Sequence, residues 1–310
     1  MGNPSVLLII SMSAALVGGM LKKLITDKFE NSTRAYQLFN AVVSIVAAAC
    51  LFIVSKDMSA SRFTILLALL FGLVTLIQQI TNMQALEVGP FSYTSVIISL
   101  STLIPTLSGV IIWNETISFV QIIGIVLMVA CIVLSVDFSG NQKKASLKWL
   151  GYCAAAFVCT GFIGIMQKWH QSSEHAGELD AFLVIAFLFS FLTSTVFFTV
   201  QSIRRKKALA QNADEENKDD SAQVKKKSIV AFLPILIMVI SGVCVAINNN
   251  LNLYLSGVMD SAVFFPIVNG GGLVLSLLAV IILFKEKLSL KQWIGIVVGI
   301  ISVVLLCNPF

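Results

Sequence analysis

Side chains able to hold a solute gather in two short stretches of the 310-residue chain. Gln78, Gln79, Asn82 and Gln84 form one, and Asn248, Asn249, Asn250 and Asn252 form the other. Each carboxamide offers N–H donors and a carbonyl acceptor, which suits a zwitterionic or hydroxyl-rich solute. Asn and Gln also hydrogen-bond between helices in membranes, and that structural use is the alternative for any single one. A second kind of signal comes from backbone breakers. Pro105 follows Ser99 and Ser101 in one apolar run, and Pro266 precedes Asn269-Gly270-Gly271-Gly272 in another. An interior proline removes a backbone hydrogen bond and adjacent glycines weaken the helix, leaving amides and carbonyls that need partners. Close helix packing through Gly and Ser is the competing account. The candidate solute contacts are Gln78, Gln79, Asn82, Ser99, Asn249, Asn250, Asn252 and Asn269, with Tyr93, Thr94, Thr160 and Tyr254 as weaker ones.

Other reactive side chains offer little chemistry. No Gly-x-Ser-x-Gly or His-Glu-x-x-His pattern occurs, and no catalytic residue, cofactor or metal is indicated. The six cysteines lie in apolar runs without a Cys-x-x-Cys pair and read as small buried hydrophobes. His170 and His175 fall near Glu174 and Glu178 in what reads as a solvated connection, where a weak metal site or pH sensor is the alternative. Glu115 and Glu286 stand at the ends of apolar runs, where each is expected to cap the helix that follows. None of the 16 acidic residues falls clearly inside an apolar run, so a proton-coupling carboxylate at the membrane midplane is not indicated.

The elements that must position these groups are set by composition. The chain is 57% hydrophobic and 12% charged, against about 25% charged in soluble domains. That excess excludes a water-soluble enzyme, disorder and a disulfide scaffold, and leaves an all-α integral membrane protein. A bilayer core needs about 20 mostly apolar residues per helix. Ten runs qualify, at 5–21, 36–54, 63–86, 90–113, 117–136, 147–167, 181–201, 229–255, 262–284 and 290–306. The first lacks the basic flank and the cleavage site of a signal peptide, and is expected to be retained.

Of the 21 Lys and Arg residues, 18 lie in the connections after odd-numbered runs or at the adjoining helix ends. The positive-inside rule then puts those connections in the cytoplasm and both termini outside, in a multi-pass protein of the cell (plasma or inner) membrane. Basic clusters such as Arg204-Arg205-Lys206-Lys207 serve orientation and anionic lipid rather than a nucleic acid.

Two stretches of the chain match each other. Glu115-x-x-Ser118-x-x-Gln121-x-x-Gly124 lines up with Glu286-x-x-Ser289-x-x-Gln292-x-x-Gly295 at an offset of 171, and Gly19–Lys23 lines up with Gly164–Lys168 at 145. One insertion in the second half, the charged connection at 202–228 between runs 7 and 8, reconciles the two offsets. The chain thus reads as two five-helix units, 1–140 and 146–310. Because five is odd, the second enters the membrane from the opposite side, and such inverted repeats hold a solute near the midplane between them.

With these two motifs in register across ten runs, the sequence resembles the drug/metabolite transporter superfamily, specifically its ten-span EamA-type members. The resemblance implies an alternating-access transporter of small polar or amphipathic metabolites such as amino acids, and an exporter rather than an importer. The partners it implies are a small-molecule solute and the lipid bilayer; a homodimer is not indicated. A membrane-embedded enzyme acting on lipid or head-group substrates, and a channel, are the alternatives.

Overall fold

A computed structural model of the protein describes residues 3–28, 33–55, 57–89, 91–134, 146–213, 232–275, 278 and 289–307. It is all-helical, with no strand among the described residues. The helices are α1 (Pro4–Lys28), α2 (Thr33–Val54), α3 (Arg62–Val88), α4 (Phe91–Ser99), α5 (Leu103–Trp113), α6 (Phe119–Leu134), α7 (Leu147–Gln171), α8 (Leu179–Ala213), α9 (Phe232–Val258), α10 (Ser261–Pro266) and α11 (Leu290–Leu306). Without water in a bilayer core, each backbone amide must be satisfied within its own segment, which a continuous helix does.

Among the described residues, seven helical segments are long and apolar enough to cross a bilayer, in α1, α2, α3, α4–α5, α7, α8 and α9. Three of the ten expected runs appear as shorter apolar helices within the described residues, at Phe119–Leu134, Ser261–Leu275 and Leu290–Leu306. The connection expected at 202–228 begins later than its composition indicated, because α8 continues to Ala213. The rest of that connection, and Glu286, lie outside the described residues.

Two helices are interrupted near their proline or glycine residues. A single 3-10 turn, Leu100–Thr102, separates α4 from α5 just before Pro105. A π turn, Ile267–Gly271, follows Pro266 at the end of α10. Both close-packing and helix-breaking accounts of the glycines hold here, since a Cβ on Gly270 would overlap Met128 of α6.

The most extensive helix pairs are α2 with α8, α1 with α9, α6 with α11, α3 with α7, α2 with α9, α3 with α8, and α5 with α10. Buried Leu67, Phe71, Phe182, Leu183 and Leu253 fill the centre of the bundle. A second cluster around Met128, Phe264, Ile267, Ile296 and Leu306 joins α6, α10 and α11.

The Glu-x-x-Ser-x-x-Gln-x-x-Gly stretch divides into separate tasks. Ser118 and Gln121 bond reciprocally, with Ser118 N–H donating to Gln121 Oε1 at 2.9 Å and Gln121 N–H to Ser118 Oγ at 3.2 Å. Ser289 and Gln292 repeat this at the start of α11, at 2.9 and 3.4 Å. These are capping boxes, each satisfying two orphan amides at a helix start. Gly124 then lets Leu306 of α11 lie against α6, and Ser302 Oγ donates to the Gly124 carbonyl at 2.7 Å.

Candidate functional site

Contrary to the expectation from the sequence, Glu115 does not cap the helix that follows it; Ser118 and Gln121 do so. Asn114 takes a left-handed conformation (φ 53°) at the end of α5 and turns the chain so that Glu115 points across the bundle. There its Oε2 accepts from Ser261 N–H at 2.7 Å, and its Oε1 from Ser261 Oγ at 3.1 Å. The carboxylate therefore meets the first residue of α10, whose N-terminal dipole favours negative charge. Asp260, the N-cap residue itself, makes no side-chain cap bond. Lys168 completes the cluster: its Nζ lies 2.8 Å from Glu115 Oε1 and donates to the Met259 carbonyl at 3.0 Å. The pair is buried, with both side chains under a tenth exposed.

A second carboxylate ties the same end of the bundle. Glu178 Oε2 accepts from Ser61 N–H and Ser61 Oγ, both at 2.8 Å, at the start of α3. His170 is fully buried against Phe63 and Phe182 and shares a hydrogen bond with Thr64 Oγ1 at 3.3 Å. It is thus a packing residue of α7 rather than part of a solvated connection. No group of three or more His, Cys, Asp or Glu able to hold a metal occurs among the described residues.

Away from this end, α1, α2, α3, α7, α8 and α9 surround a cavity of about 360 Å³. Phe39, Phe71, Leu183 and Phe187 give it apolar walls. Its polar groups fall into two sets. One set is paired: Asn40 Nδ2 donates to Ser194 Oγ at 2.6 Å, Ser44 Oγ bonds Ser190 Oγ at 3.0 Å, and Asn249 Nδ2 donates to the Val245 carbonyl at 2.9 Å. The other set is not. Thr75 Oγ1, Gln79 Oε1 and Ser241 Oγ are buried, border the cavity, and have no hydrogen-bond partner among the described residues. Each such group costs about 1–3 kcal/mol, and unpaired polar atoms converging on one cavity are what a polar ligand would satisfy.

The expected solute contacts divide among three places. Gln79 and Asn249 line the central cavity. Asn252 and Asn269 line a smaller cavity of about 180 Å³ with Ser101, Thr102 and Thr160. Asn250 donates to Asp180 Oδ1 at 3.0 Å at the edge of a wider recess of about 690 Å³ near the Glu178 end. Gln78, Asn82 and Ser99 border none of these three spaces. Asn252 is engaged between helices, accepting from Ser11 Oγ at 2.6 Å, and Asn248 donates to the same serine at 3.0 Å. Asn269 Nδ2 donates to Thr102 Oγ1 at 3.1 Å and to the Phe265 carbonyl at 3.0 Å, so the π turn and the 3-10 turn are bonded to each other. Sequence reasoning missed Asn40, Ser44, Thr75, Ser190 and Ser241. Asn40 is a single carboxamide and the others are hydroxyls, so none belongs to the runs of carboxamides that marked the candidates.

Helices long and apolar enough to cross a membrane thus enclose a largely apolar cavity edged by a few polar groups. Residues 4–137 match the model of the EamA-like transporter family, a match consistent with the drug/metabolite transporter superfamily. Comparison with curated proteins finds no match. One solved crystal structure aligns over 97% of this chain and 96% of its own length, with a TM-score of 0.71 at 11% identity, a likeness of fold.

Proposed function

We propose that the protein is an alternating-access carrier of small polar or amphipathic metabolites, amino acids or related solutes among them, working as an exporter. In this reading the central cavity is the solute site. The observation that carries it is the convergence of Thr75 Oγ1, Gln79 Oε1 and Ser241 Oγ, all buried and unpaired, on that one space.

The reading includes ten spans in two inverted five-helix repeats, 1–140 and 146–310, with the termini outside. The packing supports it. Exchanging the first five spans for the second five turns the α1–α9 pair into the α7–α3 pair, and leaves the α2–α8, α5–α10 and α6–α11 pairs as they are. A two-fold relation between halves produces such a pattern, and rocking of one half against the other about a central site is the movement it permits. The resemblance to EamA-type proteins supports export.

Radiolabelled counterflow in proteoliposomes, screened over a panel of amino acids and other small metabolites, tests the proposal. Saturable exchange of at least one solute is expected. No exchange across the panel, or a flux that neither saturates nor shows counterflow, would overturn it in favour of an enzyme or a channel.

A further inference from the structure

We infer that the central cavity selects uncharged hydrogen-bonding amphipaths over ions and over zwitterions, an inference that rests on reading this cavity as the solute site and narrows that reading by leaving out free amino acids. Its lining comes from six helices and, among the described residues, contains no Asp, Glu, Lys, Arg or His. The buried charges closest in kind, Lys168 and Glu115, are paired with each other at the end of the bundle, and Asp180 is engaged by Asn250. A charged solute in the cavity would lose its water and meet no opposite charge, a cost that a few amides and hydroxyls do not offset. Even a zwitterion carries two full charges into that space.

The unpaired atoms define what the solute must offer. Gln79 Oε1 is an acceptor only, because the Nε2 of the same amide already reaches Asn40 Oδ1 at 3.5 Å. The solute must therefore present at least one N–H or O–H donor. Thr75 and Ser241 hydroxyls can each donate or accept, and Ser241 is 1% exposed. Phe39, Phe71 and Phe187 across the same space call for an apolar or ring portion.

Cys244 lines the cavity and supplies a reporter that does not depend on transport. In wild-type protein in liposomes, alkylation of Cys244 by N-ethylmaleimide is followed by peptide mass spectrometry, with partly buried Cys159 of α7 as internal control. The probes are matched: uridine with uridine monophosphate, nicotinamide with nicotinate, and phenylalanine as a zwitterion. Uridine or nicotinamide should slow alkylation of Cys244 and leave Cys159 unchanged, while the ionised partners and phenylalanine at equal concentration give no protection. The Thr75→Val, Ser241→Ala double variant should weaken that protection about tenfold, as for loss of one or two hydrogen bonds. Its thermal midpoint should be unchanged or higher, because an unpaired buried hydroxyl is removed; a merely structural hydroxyl would lower it.

Equal or better protection by a charged or zwitterionic probe, protection that survives the double variant, or no protection by any probe overturns the inference. Counterflow in the same liposomes separates it from the carrier reading. Phenylalanine exchange without protection by uridine or nicotinamide leaves the carrier standing and this inference overturned. Protection without counterflow of any probe does the reverse.

Discussion

Lys168 Nζ and Glu115 Oε1 stand 2.8 Å apart, joining the end of α7 to the turn between α5 and α6 in a place closed to solvent. The same carboxylate holds the first amide of α10, and the same ammonium holds the carbonyl of Met259. Four chain segments thus depend on two side chains, and removal of either charge leaves the other buried without a counter-ion.

Glu115→Gln keeps an acceptor for Ser261 N–H but strands Lys168, and Lys168→Met strands Glu115. Each single change should cost about 3–5 kcal/mol, as for removal of one partner of a buried pair. The double variant should be less destabilised than the sum of the two. Thermal unfolding in detergent across this cycle reads the difference, and strictly additive losses would show that the two charges do not depend on each other.

Gly109 makes this arrangement possible. A Cβ there would overlap Glu115 Oε2 and stand 2.7 Å from Ser261 Cβ. Gly109→Ala should destabilise by about 1–3 kcal/mol through overpacking. At Gly151 of α7 a Cβ meets nothing within 4 Å, so Gly151→Ala should be neutral or stabilising by up to about 1 kcal/mol through helix propensity. Equal midpoints for the two variants would contradict the geometry.

Gln78 and Gln79 are adjacent in sequence, yet only Gln79 borders the central cavity. Gln79→Leu should lower initial counterflow about tenfold or more, while Gln78→Leu leaves it within about twofold, insertion being equal for both. A larger loss from the Gln78 change would move the site away from this cavity.

Asn269 and Thr102 should couple. Asn269→Ala and Thr102→Val each break the bond between the two interrupted helices, and a double-mutant cycle on stability should return about 0.5–1.5 kcal/mol. A coupling near zero would mean that the two turns are held independently.

Much of the helical layout was legible because apolar run length is a one-dimensional signal. The 3-10 and π turns were marked by Pro105 and Pro266 for the same reason, since proline acts on its own backbone. Glu115 was misread as a local cap because its partners, Ser261 and Lys168, are distant in the chain and no local pattern announces them. His170 was misread in the same way: proximity to Glu174 and Glu178 suggested water, whereas Phe63, Thr64 and Phe182 enclose it. The clustered amides mark α3 and α9, two of the helices that line the cavity. They did not separate Gln79, which borders the cavity, from Asn252, which is spent on Ser11. Helical phase relative to a neighbour depends on packing between elements, and three consecutive asparagines carry no phase of their own.

The hydrogen bond from Asn269 to Thr102 connects two rods at the places where each is weakest against bending. A link at that position behaves as a pin joint in a paired lever. Bending of either helix at its turn would load the other through that pin.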